Sequence, residues 1–184
     1  MTDAPTAPHA DASVRRARPA DAAAIATITL ESWRAQPVDL LPSDALDAVD
    51  PADLEAQWRE AIAAPPSALH AVLAATEGEQ VVGYAVTAPS QDPDAASDVA
   101  ELVDLVVRAD RSRRGHGSRL LAAAVDTLRE AGCAEVAAWV AVHDDARREL
   151  LASAGFAADG AHRTLAEGPG SAALRQVRWS ARIS

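Results

Sequence analysis

Apolar residues recur with two periods along this chain, one typical of strands and one typical of helices. Two-residue alternation and short β-branched runs predict strands, whereas three- to four-residue spacing predicts helices. The predicted strands are Ser13–Arg18, Ala68–Ala75, Val81–Thr87, Val99–Val107, Glu135–Val142, Ala161–Ala166 and Leu174–Ile183. Helices are predicted from Pro19, from Pro51, over the stripe Leu120–Leu128, and over Asp144–Ala154.

Turn and cap residues separate these elements. Asp50 is a good helix N-cap, and Gly132 and Gly155 suit the left-handed position that ends a helix. Glu77-Gly78-Glu79 joins two apolar runs as a hairpin turn. The order is therefore β-α-α-β-β-β-α-β-α-β-β. Hairpin strands followed by a strand–helix–strand crossover predict one α/β domain, residues 13–184, with a mixed, mostly antiparallel sheet.

Composition and charge narrow the function classes. The 184 residues carry a formal net charge of −10, and all 17 basic residues are arginine. This acidic balance argues against a nucleic-acid partner and is compatible with a cationic acceptor such as an amine. The lack of lysine removes Schiff-base and P-loop lysine chemistry from consideration. The five histidines show no metal-ligand spacing, so we expect no metal site.

The cysteine count and the N-terminus bear on the compartment. A single cysteine, Cys133, cannot form an internal disulfide and is typical of an intracellular protein, so we expect a cytoplasmic one. Residues 1–12 are polar and acidic, without a basic start followed by an apolar run. We therefore expect a disordered lead-in rather than a signal peptide, and no membrane association.

The segment Arg111–Ser118 is the strongest candidate for chemistry, since it follows a predicted strand and opens a predicted helix. Backbone N–H groups at a helix N-terminus have no internal partner and attract anions. Gly115 and Gly117 allow close approach to the backbone, and the neighbouring arginines add charge. The segment predicts a pyrophosphate cradle; a glycine-softened turn with solvated arginines is the alternative. A nucleotide P-loop or dinucleotide fingerprint is disfavoured, because the lysine and the third glycine are missing.

The region from Glu101 to Phe156 resembles the core of the GCN5-related N-acetyltransferases, the GNAT superfamily. Ser112–Gly117 matches that family's Arg/Gln-x-x-Gly-x-Gly/Ala loop, with serine at the first position. Leu105-Val106-Val107 matches the strand that pairs with the pantetheine arm, and Asp144 stands for the asparagine of the Asn-x-x-Ala…Gly-Phe helix. The resemblance implies acetyl-CoA as co-substrate and is compatible with a homodimer.

The resemblance also implies where the donor lies. The sheet is expected to splay between Val99–Val107 and Glu135–Val142, and the amide of Val106 is the candidate that polarises the thioester. The implied donor-binding residues are Leu105, Val106, Val107, Arg113, Arg114, Gly115, His116, Gly117, Ser118 and Asp144.

Candidate catalytic residues are fewer. Glu101 takes the place of a glutamate that in relatives removes the amine proton; Asp104 is the alternate, expected on the opposite side of the strand. The family's usual acid is a tyrosine, and Leu151 holds that position. His143, at a strand end, is a candidate that can titrate near neutrality, with a structural role as the alternative. Tyr84 is expected to line the acceptor pocket or to pack beneath it.

Trp33 and Trp58, on the first two predicted helices, are candidate walls of the acceptor pocket, together with Tyr84 and Glu101; a place in the core is the alternative for both tryptophans. The sequence therefore predicts an N-acetyltransferase that moves the acetyl group of acetyl-CoA to a primary amine of a small molecule or peptide. The alternative is a catalytically idle acyl-CoA-binding sensor of the same fold, which Leu151 favours.

Overall fold

The computed structural model describes residues 12–36, 46–165 and 173–183, so most of the expected lead-in, residues 1–11, lies outside it. The strands are β1 (Ala12–Arg16), β2 (Ala71–Glu77), β3 (Gln80–Pro89), β4 (Val99–Val107), β5 (Glu135–Ala141), β6 (Ala157–Leu165) and β7 (Leu174–Arg182). The longer helices of these ranges are α1 (Ala22–Arg34), α2 (Pro51–Ala63), α3 (His116–Glu130) and α4 (Asp145–Ser153).

The order of the elements confirms the predicted order, and most bounds differ by few residues. The Asp50 side chain caps α2 by accepting from the Ala52 N–H, as its position predicts. The largest difference is β6, which begins at Ala157 rather than at Ala161. Its pairing with β7 shifts between Ala158 and His162, and Gly160 has a φ of +93°. This irregularity interrupts the strand pattern in the sequence without ending the strand.

The seven strands form one sheet in the order β1-β2-β3-β4-β5-β7-β6. Only β4 and β5 are parallel, which confirms the mixed and mostly antiparallel sheet. These two strands pair only over Val99–Glu101 and Glu135–Ala137. Beyond Glu101, β4 continues beside β3, whereas β5 continues beside β7. The sheet therefore divides into a fork whose apex is Glu101.

Helices cover the two faces of the sheet differently. On one face, which we call the α3–α4 face, the main core joins buried side chains such as Leu102, Leu105, Leu120 and Leu151. On the other, the α1–α2 face, a smaller core joins Ile25 and its neighbours to the middle strands. Each helix buries one stripe against the sheet.

A β-bulge breaks the alternation of side chains in β4. Val86 pairs with Asp104 but Thr87 pairs with Leu102, so Val103 has no partner on β3. Leu102 and Leu105 consequently both enter the core of the α3–α4 face, although they are three residues apart. Val103 itself is 49% exposed beside the fork.

Within the described ranges no helix combines the length and the apolar character needed to cross a bilayer. The same ranges hold no group of three or more His, Cys, Asp or Glu side chains arranged for a metal ion.

Candidate active site

The edge of β4 inside the fork carries backbone groups that no strand of the described ranges pairs. Arg108 donates its N–H to the Val82 carbonyl at 2.9 Å, which sets the phase of the β3–β4 ladder. In an antiparallel ladder these pairs recur every second residue, so the Val106 and Asp104 backbones also face β3. The N–H and C=O groups of Leu105 and Val107 then face the fork.

The phase of the β3–β4 ladder contradicts the expectation that the Val106 amide faces the fork and polarises the thioester. Its N–H points to Tyr84 across the ladder, and its side chain packs in the core of the α1–α2 face. Leu105 carries the backbone N–H that faces the fork near its apex. Sequence alone cannot choose between adjacent amides, because the choice depends on which neighbour each one faces.

The predicted anion cradle lies at the open end of this edge. After β4, a short 3₁₀ turn leads to Arg113, a non-glycine residue with a φ of +60°, and to Gly115 with a φ of +81°. Gly115 is the N-cap of α3 and has no side-chain cap, so the first N–H groups of the helix have no helical partner. A Cβ on Gly117 would lie 3.4 Å from Leu150 and 3.8 Å from Leu105, so the start of α3 packs closely against α4 and β4.

The side chains of the cradle divide into two groups. Arg113, Arg114 and Ser118 are exposed. His116 is buried, and its Nε2 donates to the Glu77 carboxylate at 2.8 Å. Only the backbone of His116 can therefore contribute to the cradle.

Glu77, at the end of β2, contacts three residues in and beside the predicted cradle. Its carboxylate accepts from His116 and pairs with the Arg111 Nε at 3.1 Å and the Arg114 Nη1 at 3.6 Å. The hydrogen bond from His116 and the charges of the two arginines lower the pKa of Glu77. No motif in the sequence indicated this role, since the contact joins residues about forty positions apart.

Replacing Glu77 with glutamine is expected to weaken acetyl-CoA binding about three- to tenfold, because the two arginines lose the charge that orients them. Isothermal titration of acetyl-CoA checks this expectation. Glu79→Gln, an exposed change in the same turn, is the matched control and should leave the affinity unchanged. Equal affinity of Glu77→Gln and wild type would remove Glu77 from the site.

Two carboxylates lie on the α1–α2 face near the apex of the fork. Glu101 is the last residue of β4 that pairs with β5, and Asp104 follows the bulge. Because Val103 is the extra residue, Glu101 and Asp104 share one face, whereas simple alternation predicted opposite faces. The signal in the sequence was the spacing of Leu102 and Leu105, since two core residues three positions apart in a strand indicate a bulge between them.

Glu101 is half-buried, and its environment suits a proton acceptor. Burial raises the pKa of Glu101, an effect that Arg163 opposes and Asp92 reinforces. The ring of Trp139 lies on the same face, two residues beyond the Glu101 partner Ala137, with the Arg163 guanidinium 4.3 Å above its centroid. A carboxyl group with a raised pKa at the edge of a cleft is typical of a general base.

A network around Arg178 holds the loop between β3 and β4 over Trp139. Arg178 pairs with Asp92 at 3.1 Å, Asp94 at 2.8 Å and Asp159 at 2.6 Å, and these carboxylates raise its pKa. The Trp139 Nε1 donates to Asp92 at 3.1 Å. This network was not anticipated from the sequence, and it lies on the β5 side of the apex.

Tyr84 and the two candidate tryptophans are packed rather than exposed. Tyr84 is 1% exposed; its hydroxyl donates to Asp104 at 3.0 Å and accepts from Thr29 at 3.1 Å. Burial, followed by the Asp104 charge, raises the pKa of Tyr84 well above its usual range. Trp58 meets Tyr84 edge to face at 5.1 Å, and Trp33 packs beside Leu30. Tyr84 therefore lies beneath the site, and both tryptophans belong to the packing of α1 and α2.

The remaining candidates lie at the far end of β5. His143 is exposed in the turn that follows the strand. The Asp144 carboxylate caps α4 by accepting from the Arg147 N–H at 3.0 Å, so its first role is structural. Leu151, at the position of the family's acid, is fully buried in the main core.

Comparisons with known proteins identify the family and the fold. The model of the acetyltransferase (GNAT) family matches residues 28–156. The chain is 27% identical over 128 residues, 70% of each chain, to the uncharacterized N-acetyltransferase YuaI of Bacillus subtilis. Two solved structures share the fold. The ribosomal-protein-alanine N-acetyltransferase of Brucella melitensis has a TM-score of 0.74 and 24% identity, covering 92% of this chain and 99% of that one. The yncA protein of Salmonella typhimurium, with its cofactor acetyl-CoA, has a TM-score of 0.73 and 21% identity, covering 94% of both.

Proposed function

Because the chain belongs to the acetyltransferase (GNAT) family, we propose that it moves the acetyl group of acetyl-CoA to a primary amine of a small molecule or peptide. Attack is direct, within a complex of protein, donor and acceptor. The observation that carries the proposal is the continuity of the β4 edge, which runs from Glu101 at the fork apex to the uncapped start of α3.

On the donor side, backbone groups supply most of the binding. The first N–H groups of α3, with Arg113 and Arg114 beside them, hold the pyrophosphate. Val107 offers its fork-facing N–H and C=O groups, and Leu105 offers its C=O, to the amides of the pantetheine arm, as a strand edge does to an extended peptide. Bound acetyl-CoA supplies a thioester, and the Leu105 N–H is the donor placed to polarise its carbonyl.

On the acceptor side, the α1–α2 face supplies the base. An ammonium has no lone pair, so the amine must lose a proton before it attacks. Glu101 accepts that proton, directly or through water. Asp104 adds a second negative charge on the same face and attracts a cationic acceptor, and Tyr84 holds Asp104 in place.

The leaving thiolate also needs a proton. Tyr84 is buried beneath the face, and Leu151 cannot donate, which leaves His143 or water as the source. We propose as the acid His143, which is exposed in the turn that follows β5.

A second candidate function is acyl-CoA binding without catalysis. It is favoured by the complete burial of Leu151, because that position is committed to the core rather than to proton transfer. Release of coenzyme A thiol in the presence of any amine acceptor separates the two functions.

Thermal unfolding tests the donor site. Acetyl-CoA at about one hundred times its Kd is expected to stabilise the protein by about 2.7 kcal/mol, or roughly 5–10 °C for a chain of this size. ATP and NAD, which lack the pantetheine arm, serve as controls and should shift the transition less. Equal shifts with all three ligands, or none with acetyl-CoA at saturation, would contradict the proposal.

A further inference from the structure

Arg147 of α4 reaches across the fork to β4. Its Nη2 donates to the Leu105 carbonyl at 2.8 Å and to the Asp104 Oδ1 at 3.0 Å. Its Nε lies 3.7 Å from the Asp144 Oδ2. One guanidinium group therefore joins the fork edge of β4 to the start of α4.

The same ion pair engages both fork-facing backbone groups of Leu105. The Leu105 C=O accepts from Arg147, and the Leu105 N–H donates to the Asp104 Oδ1 at 2.8 Å. These are the two groups that an extended ligand must use to pair with this edge. A hydrogen-bonding position on a strand edge serves one partner well at a time, so the ion pair and such a ligand compete.

We propose that the Asp104–Arg147 pair occupies the Leu105 C=O and N–H groups that the pantetheine amide and the thioester carbonyl of the donor take, and that donor binding displaces Arg147. This inference rests on the proposed function. It makes Arg147 a residue that sets donor affinity and specificity. A ligand that brings its own amide replaces the hydrogen bonds it breaks, whereas a nucleotide without the arm reaches only the cradle.

When the donor displaces Arg147, both Asp104 and Arg147 keep other polar contacts. The Asp104 side chain is 34% exposed and keeps the hydrogen bond from the Tyr84 hydroxyl. Arg147 is 25% exposed, and Asp144 is already beside its guanidinium. Ion pairs with this much solvent contact contribute little net free energy, so they yield to a ligand.

Substitution of Arg147 by methionine removes the guanidinium group and keeps the apolar stem. Isothermal titration then compares acetyl-CoA with adenosine 3′-phosphate 5′-diphosphate, the portion of the donor without the arm. We expect the variant to bind acetyl-CoA about three- to tenfold more tightly than wild type and to bind the nucleotide equally well. Arg148→Met, an adjacent residue paired only with Asp145 among the described carboxylates, is the matched control and should change neither affinity.

An acetyl-CoA affinity that is unchanged or lower in Arg147→Met, with normal nucleotide binding, would overturn the inference and leave the proposed function standing. Failure of wild type and variant alike to bind acetyl-CoA would instead overturn the proposed function, and this inference with it. Should Arg147→Met not fold, Asp104→Asn breaks the same ion pair and must shift acetyl-CoA affinity in the same direction.

Discussion

The variant Glu101→Gln is expected to acetylate amines about 10²–10⁴ times more slowly than wild type, because glutamine keeps the shape of the side chain but cannot accept a proton. Release of coenzyme A thiol measures the rate. Acetyl-CoA affinity should stay unchanged, since Glu101 faces the acceptor side of the apex. Glu149→Gln, an exposed change on α4 that removes the same charge, is the matched control. A rate within about twofold of wild type would exclude Glu101 as the base.

The pH dependence of the reaction should also show that Glu101 acts as the base. Burial raises the pKa of Glu101, so kcat/KM should fall as the pH drops through that raised value, where the carboxylate becomes protonated. In Glu101→Gln this limb should be absent.

The stability of the protein should change with pH in the direction opposite to its activity. A carboxyl group whose pKa is higher in the folded state binds more protons when folded, so its contribution to stability falls as the pH rises through the folded pKa. Glu101→Gln should therefore be as stable as wild type or more stable at neutral pH. Loss of activity together with lower stability would indicate a structural role instead.

The variant Gly83→Ala is expected to lose stability and donor binding together. A Cβ at Gly83 would lie 2.6 Å from the Val106 carbonyl oxygen, a backbone atom that cannot turn away. We expect the free energy of unfolding to fall by about 3 kcal/mol, the upper part of the range for overpacking. Because Gly83 pairs with Val107, relief of this clash must move the β4 edge and weaken acetyl-CoA binding. Urea unfolding and calorimetric titration measure the two effects.

A second glycine of the same hairpin provides the control. Gly78 has a φ of +58° but open space around its Cβ position. Gly78→Ala should therefore cost about 1–2 kcal/mol from backbone strain alone and leave donor affinity unchanged. If the two variants lost equal stability and both kept donor affinity, the close approach at Gly83 would not matter.

Local signals predicted most of the fold. Asp50 as an N-cap and Gly115 at the start of α3 act within a few residues, so their effects are readable from neighbouring positions. The apolar stripe Leu120–Leu128 predicted the buried face of α3, which includes Leu120, Leu121, Ala124 and Leu128. β6 was the exception, since the irregularity at Gly160 mimics a strand end.

The site was predicted only in part. The cradle at Gly115–Gly117 stays a prediction, which the sequence allows because phosphate recognition by a helix start is local. The sequence did not show that Glu101 and Asp104 share one face. It also did not show that the fork-facing N–H belongs to Leu105 rather than to Val106, or that Arg147 contacts β4. Each depends on a neighbour that is distant in sequence: β3 sets the ladder phase, the bulge at Val103 sets the side, and α4 brings Arg147 to β4.

By itself, then, the sequence determined the order of the elements and the cap of α2 at Asp50, because periodicity, turn residues and caps act over a few positions. Only the tertiary structure decided where β4 parts from β5, which backbone groups line the fork, and that Asp104 and Arg147 engage them. Strand register is settled by how complete faces of the sheet bury their side chains against the helices, and a shift of one residue in β4 reverses the side on which a carboxylate lies.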